Sequence, residues 1–349
     1  MRGETGDQKL AGLQVARALA ALSVAYFHSY MALRGFPESA QHPIPFLKAW
    51  GYLGVDFFFA ISGYVICLVG SKPDFSPAAF ATKRVFRLFP MYWVTMIVVG
   101  ILILVGRFPD PIKLGHFLYS LTLLPQHGAS VYQPSWSMER ELVFYALAAM
   151  SIPFAGVAGL AVVLAALACA GFIFQDPWSF HLVSIRQADF LGGVLVFLLS
   201  KHGRFGSPAA VLALAAGVLA MGYLWFFPTR IFPFAISICL AMILFGMVNL
   251  KLPWKHWSLR WLVTIGDASY SVYLLHGLIL YYAPWLNGKL GTLPNWLCEP
   301  WRFAMLALSC VVSYATWRFI ETPMISFGNR LIQRVRDARS EVVASPKSA

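Results

Sequence analysis

The sequence predicts an all-α polytopic membrane helical bundle. Two observations carry that class. Hydrophobic residues make up 59% of the chain and charged residues only 12%, against about 25% charged in soluble domains. The apolar residues also gather into runs of membrane-crossing length, with a mean hydropathy of +0.66. A water-soluble globule of 349 residues with so few charges could not cover its own surface. A disordered chain and a secreted disulfide scaffold are excluded as well. The 5 cysteines are odd in number and lack CxxC or Cys/His spacing, so they are expected to be small apolar packing residues rather than zinc ligands.

A helix needs about 20 largely apolar residues to cross the hydrocarbon core, within a range of about 17–25. About ten segments qualify: 11–33, 50–70, 87–106, 138–154, 157–174, 186–200, 209–226, 231–249, 262–285 and 302–322. Pro153, Gly156 and Gly159 separate the fourth from the fifth with almost no loop. A stretch at 115–125 is too short to span and is expected to be an extra re-entrant or interfacial piece. The first run lacks an A-x-A-like site and carries Arg17 and His28, so it is expected to stay in the protein rather than be cleaved as a signal peptide.

The 27 Lys and Arg against 15 Asp and Glu give a formal charge of +12. In this composition the excess is expected to hold the chain's orientation and to touch anionic headgroups, not nucleic acid. Lys72, Lys83, Arg84, Arg87, Lys201, Arg204, Lys251, Lys255 and Arg260 fall on one side with Arg2, Lys9 and the basic tail. Fewer fall on the other: Arg34, Lys48, Arg107, Lys113, Arg140, Arg186, Arg230, Lys289 and Arg302. That bias predicts both termini in the cytoplasm. Residues 1–328 form one transmembrane domain in this reading, and 329–349 a basic cytoplasmic tail, disordered or at most a short surface helix.

Ionisable groups inside a membrane helix cost about 2.5–3.5 kcal/mol each on insertion scales, so each needs a reason. The first helix holds Arg17 and His28. Eleven residues bring both to one face, within about 20° of three full turns and about 16 Å apart. Asp56 opens the second helix at the depth of His28, and a carboxylate beside imidazole would fix its tautomer; a helix N-cap is the alternative. Arg84 and Arg87, at i and i+3, could clamp phosphates or simply anchor the topology. Trp136, Glu139 and Glu141 stand at the outer start of the fourth helix. Ser269, Tyr273 and His276 share a later one, Ser269 and His276 lying on one face at i,i+7. Arg318 and Glu321 read as a structural i,i+3 ion pair before Pro323. His116, His127 and His181 read as ordinary residues of outer loops.

Each signal is weak alone; their order and depth together are specific. The chain resembles the acyltransferase-3 family of membrane O-acyltransferases, which modify bacterial glycans and other acceptors. The matching elements are Arg17 with His28, GVDFFFAISGY at 54–64, RVFR at 84–87, WSMERELVFY at 136–145, an RxxxFxxG-like element over Arg186–Gly192, SYSVYLLH at 269–276 and RFIETP at 318–323, together covering about 8–328. One departure is Glu139, where the family usually has a small polar residue. The resemblance implies acyl-CoA, usually acetyl-CoA, as co-substrate, with no bound cofactor or metal, and a glycan hydroxyl as acceptor. It also implies a bacterial cytoplasmic (inner) membrane location, an exopolysaccharide or O-antigen acetylase type, and no SGNH domain.

On that reading Arg17, Arg84 and Arg87 take the donor. His28 is the base or transient acyl carrier, oriented by Asp56 or Glu141, and His276 assists with Ser269, Tyr273, Trp136 and Glu139. Imidazole, with an unperturbed pKa of about 6.5, suits removal of a hydroxyl proton. A multi-pass transporter or flippase for a polar solute is the rival reading of the same charges, although no repeated halves are evident.

Overall fold

The computed structural model describes residues 2–37, 44–202, 205–229, 231–250, 252, 254, 256–290 and 293–344. Arg204, Arg230, Lys251, Lys255 and Lys347, which entered the charge count above, lie outside the described residues. The described chain is helical throughout. In order the helices are α1 (Arg2–His28), α2 (Pro45–Trp50), α3 (Gly54–Gly70), α4 (Pro77–Leu104), α5 (Leu114–Ser120), α6 (Ser135–Ile173), α7 (Gln187–His202), α8 (Ser207–Phe226), α9 (Phe232–Asn249), α10 (Arg260–Asp267), α11 (Ser269–Leu290), α12 (Cys298–Thr316) and α13 (Thr322–Ala344).

Among the described residues seven helices are long and apolar enough to cross a membrane, or up to eight if one bent pair counts as a single span. Three places separate this from the ten sequence-derived segments. The stretches 138–154 and 157–174 are one 39-residue element, α6, interrupted at Gly156 (φ 64°, ψ −169°). The segment 186–200 is α7, only 16 residues long. The segment 262–285 is broken: α10 and α11 meet at 78°. The 115–125 stretch contains the seven-residue α5. Where its chain leaves the helix, Tyr92 and Trp93 of α4 donate to the carbonyls of Ser120 (2.6 Å) and Leu121 (3.0 Å), satisfying backbone that hydrocarbon would leave bare.

Past Pro323 the described chain is helical to Ala344. A five-residue π turn, Trp317–Glu321, links α12 to α13, and Pro323 falls in the first turn of α13, where a missing N–H costs little. Gly328 lets α13 lie against Phe86 of α4, and Arg336 meets Asp74 at 3.4 Å.

Helix α1 is the axis of the bundle, packed against α3, α9, α10 and α11. Its buried face is small, with Ala16, Ala18, Ala21 and Ala25 all nearly inaccessible, so neighbouring backbones approach closely, as lipid-embedded packing favours. The tightest crossing lies between α3 and α7. A Cβ on Gly193 would sit 1.8 Å from the Ala60 carbonyl oxygen, and one on Gly63 2.1 Å from that of Phe190. Beside it Phe144 stacks on Phe190 at 4.2 Å, and Phe190 on Phe59 at 4.6 Å.

Backbone atoms cannot move aside as side chains do, so Gly193→Val is expected to cost about 3 kcal/mol or more, the upper part of the overpacking range. Thermal unfolding in detergent should show a clearly lowered midpoint. Gly222→Ala, where nothing lies within 4 Å of the added carbon, should leave it in place. All five cysteines are free thiols.

Candidate active site

Two pockets open along α1, one at the level of each of its half-buried ionisable groups. The first, about 710 Å3 counted out into its open mouth, is lined by Arg17, Arg84, Arg87, Glu141, Tyr145 and Ser269, among others. The second, of about 1480 Å3, is lined by His28, Asp56, Trp136, Arg186, Tyr273 and His276, among others. Val55 and Tyr273 line both, so the pockets lie side by side with part of their walls in common.

In the arginine pocket, Arg17 Nε donates to Ser269 Oγ at 3.0 Å. The α10–α11 bend makes this contact possible. Gly266 lies so close to α1 that a Cβ would be 1.9 Å from the Gln14 carbonyl oxygen, and the turn after it brings Ser269, first residue of α11, to Arg17. Arg84 lies over the rings of Phe80 (5.2 Å) and Tyr145 (5.3 Å), and its buried Nε has no hydrogen-bond partner among the described residues. Arg87 Nη1 reaches Glu321 Oε1 at 3.9 Å, and Ser271 Oγ donates to Glu321 Oε2 at 2.9 Å.

The expected Arg318–Glu321 pair is therefore replaced by Arg87–Glu321, with Arg318 exposed. The π turn explains this: a wider turn carries residues three apart off a common face, and Glu321 turns into the bundle.

In the histidine pocket, His28 Nδ1 lies 3.1 Å from His276 Nε2 and 3.1 Å from the Val24 carbonyl oxygen. His276 Nδ1 lies 3.0 Å from the Val272 carbonyl oxygen. A carbonyl can only accept, so in the uncharged rings Nδ1 carries the proton in both histidines. His276 Nε2 then accepts from His28 Nδ1, which leaves His28 Nε2 with its lone pair. Buried His276, 1% exposed, thus holds the tautomer that a base needs.

Neither carboxylate expected to orient His28 does so. Asp56 is paired with Arg186. Glu141 belongs to the arginine pocket, where Ser62 Oγ donates to it at 2.6 Å and Tyr145 donates from one helical turn away. Ser269 likewise sits at Arg17 and not beside His276. Tyr273, on the wall shared by the pockets, donates to the Pro134 carbonyl at 3.0 Å and accepts from Ser137 Oγ at 2.8 Å. Tyr132, in the loop before α6, donates to the Leu274 carbonyl. Burial pushes its phenol well above the usual tyrosine range, keeping it a donor.

Trp136 lines the histidine pocket, and the guanidiniums of Arg140 and Arg186 lie against its ring at 5.7 and 5.5 Å. Glu139 is not among the residues lining either pocket. Buried at 2% exposure, it accepts from Ser130 Oγ (2.6 Å), Gln126 Nε2 (2.9 Å) and Gln126 N (3.3 Å), and meets His181 Nε2 at 3.4 Å. It ties outer loops together, so His181 is a buried carboxylate's partner rather than an ordinary surface residue; His116 similarly meets Gln126 Oε1 at 3.0 Å.

Arg186 is the main residue that the motif reading left without a role. Its signal was a cation opening a helix at the level of Asp56. Glu141 and Tyr145 at i,i+4 were legible as one helix face. Among the described residues no group of three His, Cys, Asp or Glu is placed to hold a metal ion.

Fold and pockets together define an all-helical polytopic membrane protein with a buried polar site divided between an arginine end and a histidine end. Residues 10–318 match the family model described as acyltransferase domain, and the chain belongs to that acyltransferase-3 family. It is similar to the exopolysaccharide production protein ExoZ of Rhizobium meliloti (strain 1021), 26% identical over 299 residues that cover 80% of this chain and 90% of the relative. It is also similar to the acyltransferase MdmB of Streptomyces mycarofaciens, 25% identical over 381 residues, 94% of each chain. No solved structure matches.

Proposed function

We propose that this protein is an O-acyltransferase of the bacterial inner membrane that moves an acetyl group from cytoplasmic acetyl-CoA to a hydroxyl of an exported or cell-surface glycan. The observation that carries this reading is the adjacency of the two pockets, which share Val55 and Tyr273 in their walls. An arginine end suited to CoA phosphates and a histidine end suited to a hydroxyl acceptor thereby stand along one helix, about 16 Å apart. The similarity to an exopolysaccharide production protein and to an acyltransferase supports the glycan acceptor and the acyl donor. In this reading the chain crosses the membrane ten times, α6 contributing two crossings about Gly156 and α7 one, with both termini in the cytoplasm.

The chemistry follows from the histidine pair. His28 Nε2 takes the proton of the acceptor hydroxyl as its oxygen attacks the thioester carbonyl. The C–S bond then breaks, and CoA leaves as the thiol with the proton returned from His28. Arg17, Arg84 and Arg87 hold the donor, and His276 holds His28 in its basic tautomer. Glu141, hydrogen-bonded by Ser62 and Tyr145 and lining the same pocket as the three arginines, keeps that cationic cluster from being wholly uncompensated.

Sidedness tests the whole scheme. Inverted membrane vesicles given radiolabelled acetyl-CoA should form base-labile ester on the glycan, and sealed right-side-out vesicles should not. Equal labelling from the outside would overturn the cytoplasmic donor site.

A further inference from the structure

A third cavity, open to the outside and about 640 Å3 counted out into its mouth, lies between the loop following α5 and the loop joining α6 to α7, and the transfer chemistry above leaves it without a role. Trp178 stands in its wall with 43% of its surface exposed. Its indole is flanked by the imidazoles of His127 (5.2 Å) and His181 (5.4 Å). Asp176, Gln126 and Arg140 complete the polar lining. Arg140 Nη1 donates to Ser184 at 2.8 Å, while its buried Nε has no hydrogen-bond partner among the described residues.

The backbone here is held in an unusual form. Gln175, Asp176, Phe180 and His181 all have positive φ, at 56°, 49°, 53° and 61°, which L residues adopt only where surrounding contacts impose it. Those contacts include Asp176 Oδ1 accepting from Ile185 N at 2.6 Å, and the Glu139–His181 pair. The buried Glu139, holding Gln126 and His181, anchors the rim of this cavity.

Its position relates it to the reaction. Arg140 lines this cavity, Arg186 lines the histidine pocket, and both lie against the Trp136 ring, so the partition is built around a single side chain. A partly exposed indole, packed by Phe180 at 5.2 Å and neighboured by the Arg140 guanidinium and the Asp176 carboxylate, fits a sugar ring, whose C–H groups pack on the indole while its hydroxyls both donate and accept. A lipid tail would meet polar walls, and a phosphate would meet Asp176.

We propose that this outer cavity binds a sugar unit of the acceptor chain next to the unit being acylated. The proposal rests on the glycan reading above. It makes the enzyme selective for a chain over a single sugar, because two contacts on one molecule reinforce each other.

The test uses full-length protein in detergent, labelled acetyl-CoA, and oligosaccharides of graded length cut from the surface polysaccharide of the producing cell. Wild-type kcat/KM should rise with length. Trp178→Ala should lower it about tenfold on the longer chains and less on the single sugar, and Trp178→Phe should recover part of the loss. An equal loss at every length in Trp178→Ala, or wild-type transfer indifferent to length, would remove the subsite alone. Absence of transfer to any length, by protein that still binds acetyl-CoA, would remove the sugar acceptor itself and the subsite with it.

Discussion

His28→Ala is expected to lower acyl transfer by about 10²–10⁴-fold, the range that a positioned general base contributes, while acetyl-CoA binding persists. His28 and His276 share one hydrogen bond, so His276→Ala should act on the same step. It frees the His28 ring to turn or to change tautomer, and should lower kcat with little change in the KM for acetyl-CoA. Isotope exchange between acetyl-CoA and free CoA without acceptor separates the two forms of the mechanism. Exchange that depends on His28 means the imidazole carries the acetyl group; its absence means direct transfer. Near-normal transfer by His28→Ala would sink both.

Arg84→Ala is expected to weaken acetyl-CoA binding by about tenfold to a hundredfold, the loss of a charge-assisted hydrogen bond worth about 1.5–3 kcal/mol. This variant is the clean one, since among the described residues no acid pairs with Arg84 and its Nε has no hydrogen-bond partner. Arg87 differs because it faces buried Glu321, and Arg87→Ala would leave that carboxylate without its cation. Arg87→Lys keeps the charge and removes the planar fork, and should weaken binding without loss of fold. Titration of purified protein with acetyl-CoA, and with ATP as a phosphate-bearing control, reads both variants. Equal affinity for ATP, or unchanged acetyl-CoA binding, would return these arginines to topology anchors.

The histidine pair and Glu139 show how differently two features of one site can be read. His28 and His276 stand out in sequence because imidazoles inside apolar helices are costly. Their contact joins residues 248 positions apart, a separation that no helical periodicity spans. Glu139 and Glu141 stand two apart on one helix, which points them about 200° from each other. One therefore ties outer loops and the other enters the arginine pocket, although in sequence both read as one acidic motif.

By itself the sequence determined the class, the membrane setting, the family resemblance and most of the polar residues that line the two pockets. The class and the setting follow from composition and apolar run length, the polar residues from the cost of ionisable groups in hydrocarbon, and the resemblance from short motifs and their order, all of which are legible along the chain. The tertiary structure alone decided who partners whom: Asp56 with Arg186, Glu321 with Arg87, Glu141 with Ser62, and Arg17 with Ser269. Each of those contacts joins separate elements of the chain. It depends on glycine-permitted crossings, on the 78° break before Ser269 and on a π turn that rotates Glu321 inward. Such features set the angle and phase of one helix against another, and a single helix's pattern does not encode them.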